Sequence, residues 1–423
     1  MNISVGILES KSIDFQLDSP FFLKQEKIEI NGKFNATVFE NKIFFNEKIY
    51  DELYFENKNN SVFELKSVKI GIKFHWEQTE NQIFEGDLRI IFDGKHLIAI
   101  NIIDIEKYLC SVISSEMSAM SFPELLKAHA VISRSWLLAN LNKCKECRMK
   151  NADNFTFVTW YERDAHTLFD VCADDHCQRY QGVPKQTAFL ENVAAAVEAT
   201  KGEVLTYENE ICDTRFSKCC GGKTELFSSC WADKNFDYLP AKIDHTTDLK
   251  VDLTNEQNAE NFILSPPKCF CNTSDKTIIN QVLKDFDKKT NNFFRWQVKY
   301  SNAELSDILR EKSGIDFGKI IDLQPITRGA SSRITLLKIS GTKRTFNVGK
   351  ELEIRRILSK SHLYSSAFVV KKDDGENFTF YGAGWGHGVG LCQIGAAVMS
   401  AQGYDYKQIL AHYFNGAELS CKI

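Results

Sequence analysis

The sequence predicts an α+β protein: a strand-rich N-terminal region, then a mixed α/β core interrupted by an inserted segment. Three observations support this. Apolar and polar residues alternate with a period of two in ISVGIL and FNATVF, the spacing turns helical in IDIEKYLCSVISSEM, and strand-like runs return late in FFRWQVKY, ITLLKI and TFNVG. The first break in period places the end of the strand-rich region at residue 103, and the core is expected over 104–236 and 293–423. Residues 237–292 mix polar residues, two prolines and Cys269/Cys271 with little period, and read as the insertion.

Within the core, Ile105, Tyr108, Leu109 and Val112 fall on one helical face, so a helix is expected to finish just before Glu116. Pro123 and Glu124 suit a helix start, and LLKAHAVISRSWLLANLN then runs without Gly or Pro, with Leu125, Ala128, Ile132, Trp136 and Ala139 as its apolar face. Glu116 is thus expected in a short connection between two helices. Residues 151–182 read as an irregular stretch rich in His and Cys; a helix over 190–200 leads through Gly202 into the strand GEVLTY. NAELSDILREKSG and YKQILAHYF read as further helices.

At 423 residues and 43% hydrophobic content the chain can bury a large core and form more than one unit. With 52 basic against 56 acidic residues, no positive surplus argues for nucleic acid or an anionic membrane as partner. Its longest apolar runs fall far short of the roughly 20 residues a transmembrane helix needs. The segment MNISVGILESKSIDFQL alternates like a strand and shows no signal peptide. Thirteen cysteines, an odd number, fall partly in close sets such as Cys144/Cys147, Cys172/Cys177, Cys219/Cys220 and Cys269/Cys271, a pattern that suits metal sites or local disulfides equally.

Several groups carry potential chemistry. Glu116, next to apolar Met117 and near Phe122, is a candidate acid, since an apolar setting favours the proton-bearing form of a carboxyl; a solvated surface charge or a helix-terminal anion is the plain alternative. In GAGWGHGVGLCQIGA, alternating glycines allow close approach of backbone and ligand, and Trp385, His387 and Gln393 supply a stacking face and hydrogen bonds that suit a sugar. A glycine-rich turn with Trp385 in the core explains the same residues. His166, Cys172, His176 and Cys177 are soft to borderline ligands for which zinc is the natural ion, holding an irregular loop in place; adjacent ligation by His176 and Cys177 is expected to strain a tetrahedron. A Cys172–Cys177 disulfide or buried thiols are the alternatives. Cys219–Thr224 reads as a polar turn, with Thr224 a candidate groove residue, and Cys144/Cys147 as a lone CxxC.

SSEMSAMSFPELLKAHAVISRSWLLA, QRYQGV, AVEATKGEVLTYENEICDTRFSKCCGGKT and YGAGWGHGVGLCQIGAAVMSAQGYDYKQILAHYFNGAEL resemble, in this order, the SpoIID/LytB family of stage II sporulation protein D and the amidase enhancer. The resemblance implies a peptidoglycan lytic transglycosylase of the cell envelope that cleaves between N-acetylmuramic acid and N-acetylglucosamine in denuded glycan strands, with Glu116 as general acid and base. One carboxyl suffices because the muramic acid C6 hydroxyl attacks within the molecule, whereas ordinary glycoside hydrolysis uses two. Trp385, Gly386, His387 and Gly388, with Gln393 beyond, would form a substrate-groove wall, and Tyr180 and Thr224 would contribute from neighbouring blocks. Ser118 stands where the family often has Pro, and Cys219-Cys220 where small polar residues are usual. The alternative within the resemblance is a non-catalytic, glycan-gripping enhancer of an N-acetylmuramoyl-L-alanine amidase.

Overall fold

The computed structural model describes the chain apart from residues 73–76, 119, 142–149, 153–154, 161–165, 184–189, 248–249, 284–291, 375 and 423. It is α+β. Among the described residues the helices are α1 (Ile105–Glu116), α2 (Pro123–Leu141), α3 (Leu190–Ala199), α4 (Glu256–Leu264), α5 (Lys276–Val282), α6 (Asn302–Ser313), α7 (Glu351–Ile357), α8 (Gln393–Ala401) and α9 (Tyr406–Tyr413). None is long and apolar enough to cross a membrane. Residues 1–120 and 165–202 make one compact unit; residues 121–164 and 203–422 make a second.

The first unit is built on an eleven-stranded sheet. Its strands are β1 (Asn2–Ser10), β2 (Ser12–Leu23), β3 (Ile28–Phe39), β4 (Lys42–Phe45), β5 (Lys48–Tyr50), β6 (Glu52–Glu56), β7 (Val62–Ile70), β8 (Gln78–Glu85), β9 (Asp87–Phe92), β10 (Leu97–Asp104) and the short strand Val171–Cys172. The order runs Val171–Cys172, β1, β10, β9, β6, β2, β3, β4, β5, with β7 pairing β2 and β8. Strict alternation decides which face is inside: Ile13, Phe15 and Leu17 of β2 are buried while Ser12 and Asp14 are exposed. The buried face is dominated by phenylalanine. Rings of Phe21, Phe63, Phe84, Tyr180 and Tyr108 follow one another at centroid separations of 6.3, 5.4, 5.9 and 5.2 Å, so aromatic packing leads from the sheet to α1. Asp104 ends β10 and caps α1, its carboxylate accepting the Glu106 N–H at 2.9 Å. Helix α1 includes Glu116 instead of stopping before it, and the extended Met117 ends it.

In the second unit, α2 is buried almost all round: Leu125, Ala128, Ile132, Trp136 and Ala139 are buried as the apolar pattern predicts, but so are His129, Ser133, Arg134 and Ser135. These polar groups find internal partners. Arg134 Nη1 donates to Glu203 O at 2.9 Å, and Ser135 Oγ accepts from Leu205 N at 2.8 Å, fixing strand Glu203–Tyr207 against the helix. A five-stranded sheet (Lys150–Ala152, Thr156–Thr159, Thr345–Gly349, Ile334–Gly341, Ile320–Arg328) and a three-stranded one (Arg295–Tyr300, Phe378–Ala383, Phe368–Lys372) contribute Trp296, Leu337, Phe368 and Phe380 to a common core. The parallel pair Phe216–Ser217 and Leu391–Cys392 carries the glycine-rich block into α8. Helices α4 and α5 lie in residues 237–292, where the sequence shows little period.

Replacing Phe63, a fully buried ring between Phe21 and Phe84, by alanine is expected to lower unfolding free energy by about 3–5 kcal/mol, read as a lower urea midpoint at unchanged slope.

Candidate functional site

In the first unit, Glu116 is 9% exposed, and its Oε1 accepts the backbone N–H of Arg179 at 3.3 Å. The Arg179 guanidinium is held in turn, Nε donating to Asp175 Oδ1 at 2.7 Å. Tyr180 follows. Its N–H donates to Ala173 O at 3.0 Å, its ring stacks on Tyr108, and its hydroxyl donates to Asn101 Oδ1 at 2.5 Å. Burial, and then the Glu85 carboxylate, push this phenol far above its usual range, so it stays a proton donor. Ser111 Oγ donates to Gly182 O at 2.7 Å, and Tyr108 donates to Gln178 Oε1 at 3.3 Å. Tyr108, Ser111 and Glu116 bond to Gln178, Gly182 and Arg179 respectively, so α1 is laced to residues 178–182 along its length. Beside the same helix, Glu85, Lys107, Cys110, Ser111, Tyr180 and Gly182 line a cleft of about 220 Å³.

The loop that delivers Arg179 also gathers the predicted metal ligands. Donor atoms of His166, Cys172, His176 and Cys177 all lie within 4.8 Å of one another. His166 Nε2 is 3.4 Å from Cys177 Sγ, and His176 Nδ1 is 3.5 Å from Cys177 Sγ and 3.8 Å from Cys172 Sγ. Two nitrogens and two sulfurs at these separations match the edges of a tetrahedron with Zn–N of about 2.0 Å and Zn–S of about 2.3 Å, so the donor set fits zinc. Cys172 and Cys177 close a tight loop, with Cys172 N–H directed at Cys177 Sγ at 3.5 Å, and His176 Nδ1 lies 3.5 Å from Cys177 Sγ. The Cys144/Cys147 pair lies outside the described residues.

In the second unit, Trp385 is half-buried, stacked on Phe293 at 4.6 Å and edge-on to Tyr364 at 4.8 Å. Its backbone exchanges hydrogen bonds with Cys219, donating at 2.8 Å and accepting at 3.1 Å. His387 Nδ1 accepts from Val389 N at 3.0 Å, and its ring meets the Trp231 face at 4.5 Å. Desolvation, then Arg215, Arg355 and Arg333, hold this imidazole well below its usual range and therefore neutral. Gly386 O accepts from Arg333 Nη2 at 3.0 Å. At Gly388, with φ +77°, a Cβ would fall 2.5 Å from the Arg333 guanidinium carbon, so the glycine makes room for a buried cation.

Two predicted groove residues face inward. Thr224 is buried, its hydroxyl donating to Pro240 O at 2.9 Å. Gln393 opens α8 and is 1% exposed, with its amide nitrogen 3.1 Å from His129 Nε2; Ser133 Oγ lies 3.1 Å from Nδ1 of the same ring. Complete burial, with Lys218 adding to it, depresses His129 to about 3. Glu116 and Tyr180 therefore belong to the first unit, and Trp385, Gly386, His387, Gly388, Gln393 and Thr224 to the second. Arg179, Asp175 and His129 escape sequence reading because backbone donation and buried pairing leave no mark in residue spacing.

A strand-rich unit with a helix that ends in a buried carboxyl, and a unit carrying a glycine-rich Trp-Gly-His-Gly block, make up an α+β protein. The chain is similar to proteins of the SpoIID/LytB family. Residues 93–207 match the family described as stage II sporulation protein, and residues 225–390 match a domain of unknown function, DUF8618, whose span includes residues 237–292. An uncharacterized protein of Brachyspira hyodysenteriae is 27% identical over 85% of this chain and 78% of its own length. Stage II sporulation protein D of Bacillus amyloliquefaciens is 24% identical over 75% of this chain and 74% of its own. The amidase enhancer of Bacillus subtilis is 26% identical over 56% of this chain but only 35% of its own length.

The depressed His129 fixes a sign for pH. The unfolded chain takes up a proton near pH 6.5 that the folded protein refuses until about 3, so this stability is complete above 6.5 and is lost as pH falls toward 3. Urea unfolding between pH 7 and 4 should show stability declining by up to about 1.4 kcal/mol per pH unit from this residue, and His129→Gln should flatten that decline.

Proposed function

We propose that this protein is a lytic transglycosylase of peptidoglycan, acting outside the cytoplasm on glycan strands stripped of their peptide stems. Glu116 donates its proton to the oxygen linking N-acetylmuramic acid C1 to N-acetylglucosamine, and that bond breaks with the sugar leaving as an alcohol. The muramic acid C6 hydroxyl then bonds to C1, closing the 1,6-anhydro ring, and its proton returns to the Glu116 carboxylate. No water is consumed. The single observation that carries the reading is a buried carboxyl at the end of α1, aimed by a backbone N–H, inside the segment that matches the sporulation family. Trp385, the half-exposed ring of the glycine-rich block, is the proposed sugar-stacking residue. His387, Gln393, Tyr180 and Thr224 support the structure around these groups through the internal hydrogen bonds they make.

Zinc at His166, Cys172, His176 and Cys177 is proposed as a structural ion that sets the loop carrying Arg179, and through it the Glu116 carboxyl. Similarity to the amidase enhancer favours a second reading, in which the protein grips glycan and stimulates a cell-wall amidase without cutting.

Incubation with denuded glycan should release anhydro-ended fragments, resolved by mass spectrometry, and Glu116→Gln should cut that release at least ~10²-fold while glycan pull-down persists. Wild-type protein that releases nothing, yet binds glycan and accelerates an amidase, establishes the second reading instead. The double variant C172S/C177S should lose roughly one zinc equivalent by elemental analysis, with a raised KM or lowered kcat that follows displacement of the Arg179 segment.

A further inference from the structure

We infer that the second unit holds a metal ion of its own, a single tetrahedral zinc bound by Cys220, Cys271, Cys392 and Asp244. The four residues come from separate parts of the chain: the Cys219–Gly222 turn, the residue after Ile243, the Cys269-Phe270-Cys271 run, and the end of strand Leu391–Cys392. All four are buried, and their donor atoms lie within 4.8 Å of one another. Cys220 Sγ is 3.6 Å from Cys271 Sγ. That is far longer than the roughly 2.05 Å of a disulfide, and it matches the edge of about 3.8 Å that Zn–S bonds of about 2.3 Å impose. The ligands of an iron–sulfur cluster are spread over two or more irons, so they cannot all lie as close together as these four donors do, and the spacing favours one ion.

The surroundings are those of charged ligands. Backbone N–H groups point at the sulfurs: Cys220 N donates to Cys392 Sγ at 3.2 Å and Gly222 N to Cys220 Sγ at 3.4 Å. The Asp244 carboxylate is oriented on both oxygens, Oδ1 accepting from Tyr413 OH at 2.7 Å and Oδ2 from Cys271 N at 3.0 Å. Gly395 leaves it space, since a Cβ there would fall 2.5 Å from Oδ2. Two further buried thiols adjoin the set, Cys269 with its Sγ 3.7 Å from Cys271 Sγ and Cys219 beside Cys271 and Cys392; buried thiols alone would read as small hydrophobic side chains. A buried carboxylate packed among them is costly without a cation in direct contact; His412 Nε2 stands 3.8 Å from Oδ1, beyond hydrogen-bond range, and zinc would bind the oxygen itself. Cys219, the neighbour of Cys220, is the residue whose backbone exchanges hydrogen bonds with Trp385, so the ion would tie residues 244–271 to the base of the glycine-rich block.

Elemental analysis of the full chain, purified under reducing conditions, should give roughly two zinc equivalents, and C172S/C177S should keep roughly one. Adding C271S to that double variant should remove the remainder, and D244N should weaken its retention against a chelator. Should C271S fail to fold, cobalt in C172S/C177S decides: thiolate-to-cobalt charge-transfer absorption of a three-sulfur site supports the proposal. Wild type with roughly one equivalent that C172S/C177S retains also supports it, while removing the first site. Wild type whose only zinc disappears in C172S/C177S, a Cys220–Cys271 disulfide in non-reducing mass spectrometry, or iron with acid-labile sulfide would each overturn it.

Discussion

The Arg179 N–H on the Glu116 carboxyl is the contact on which the chemistry proposed for the first unit depends. A carboxyl at the last residue of a helix has rotamer freedom that burial alone does not remove, and a fixed backbone donor selects one orientation. That donor is fixed because its own chain is fastened on either side: Asp175 grips the guanidinium, and Tyr180 is wedged between Tyr108 and Phe84. The phenylalanine column of the sheet thereby reaches a single hydrogen bond at the helix end. Large hydrophobic burial and a small directional contact act at different links of one chain, the first supplying rigidity and the second aim.

A different solution operates around the glycine-rich block. Here cations are buried, and glycines provide the volume they require. Arg333 spans Gly386 O, Cys220 O and Ser331 Oγ, occupying the space a side chain at Gly388 would fill. Glu225 answers it nearby, its carboxylate accepting from Ala330 N, Ser331 N and Ser331 Oγ. Desolvation, and then the positive charge nearby, keeps the His387 imidazole neutral, suiting it to hold Val389 N–H and not to exchange protons. The block is thus a braced wall in which the rings of Trp385 and His387 are both partly open, Trp385 the larger of the two.

Much of this was legible in the residues, and the misses have physical causes. Alternation in β2 and the apolar face of α2 report burial directly, because the core sorts side chains by polarity. The His166–Cys177 cluster was visible because its ligands are local in sequence. Buried polar residues on α2 were not, since His129 and Arg134 are inside through partners supplied by distant segments, and Ser133 through His129 itself. Gln393 and Thr224 looked like groove residues because polar groups beside glycines are usually exposed; burial with internal hydrogen bonds reverses that. Helices α4 and α5 lack a strong period because each buries only a few residues, Ala259, Phe262 and Ile263 in one and Val282 in the other.

The two thiol clusters differ in how far apart their members lie along the chain. His166 to Cys177 close within a loop of a dozen residues, a set that a nascent polypeptide presents all at once as it leaves the ribosome. Cys220 and Cys392 are separated by 172 positions, so they cannot meet until that whole stretch has been made. During synthesis the unpaired thiols of the later cluster are exposed to oxidants and to mispairing for the longest time. The order in which these cysteines become protected is therefore written into the distance between them.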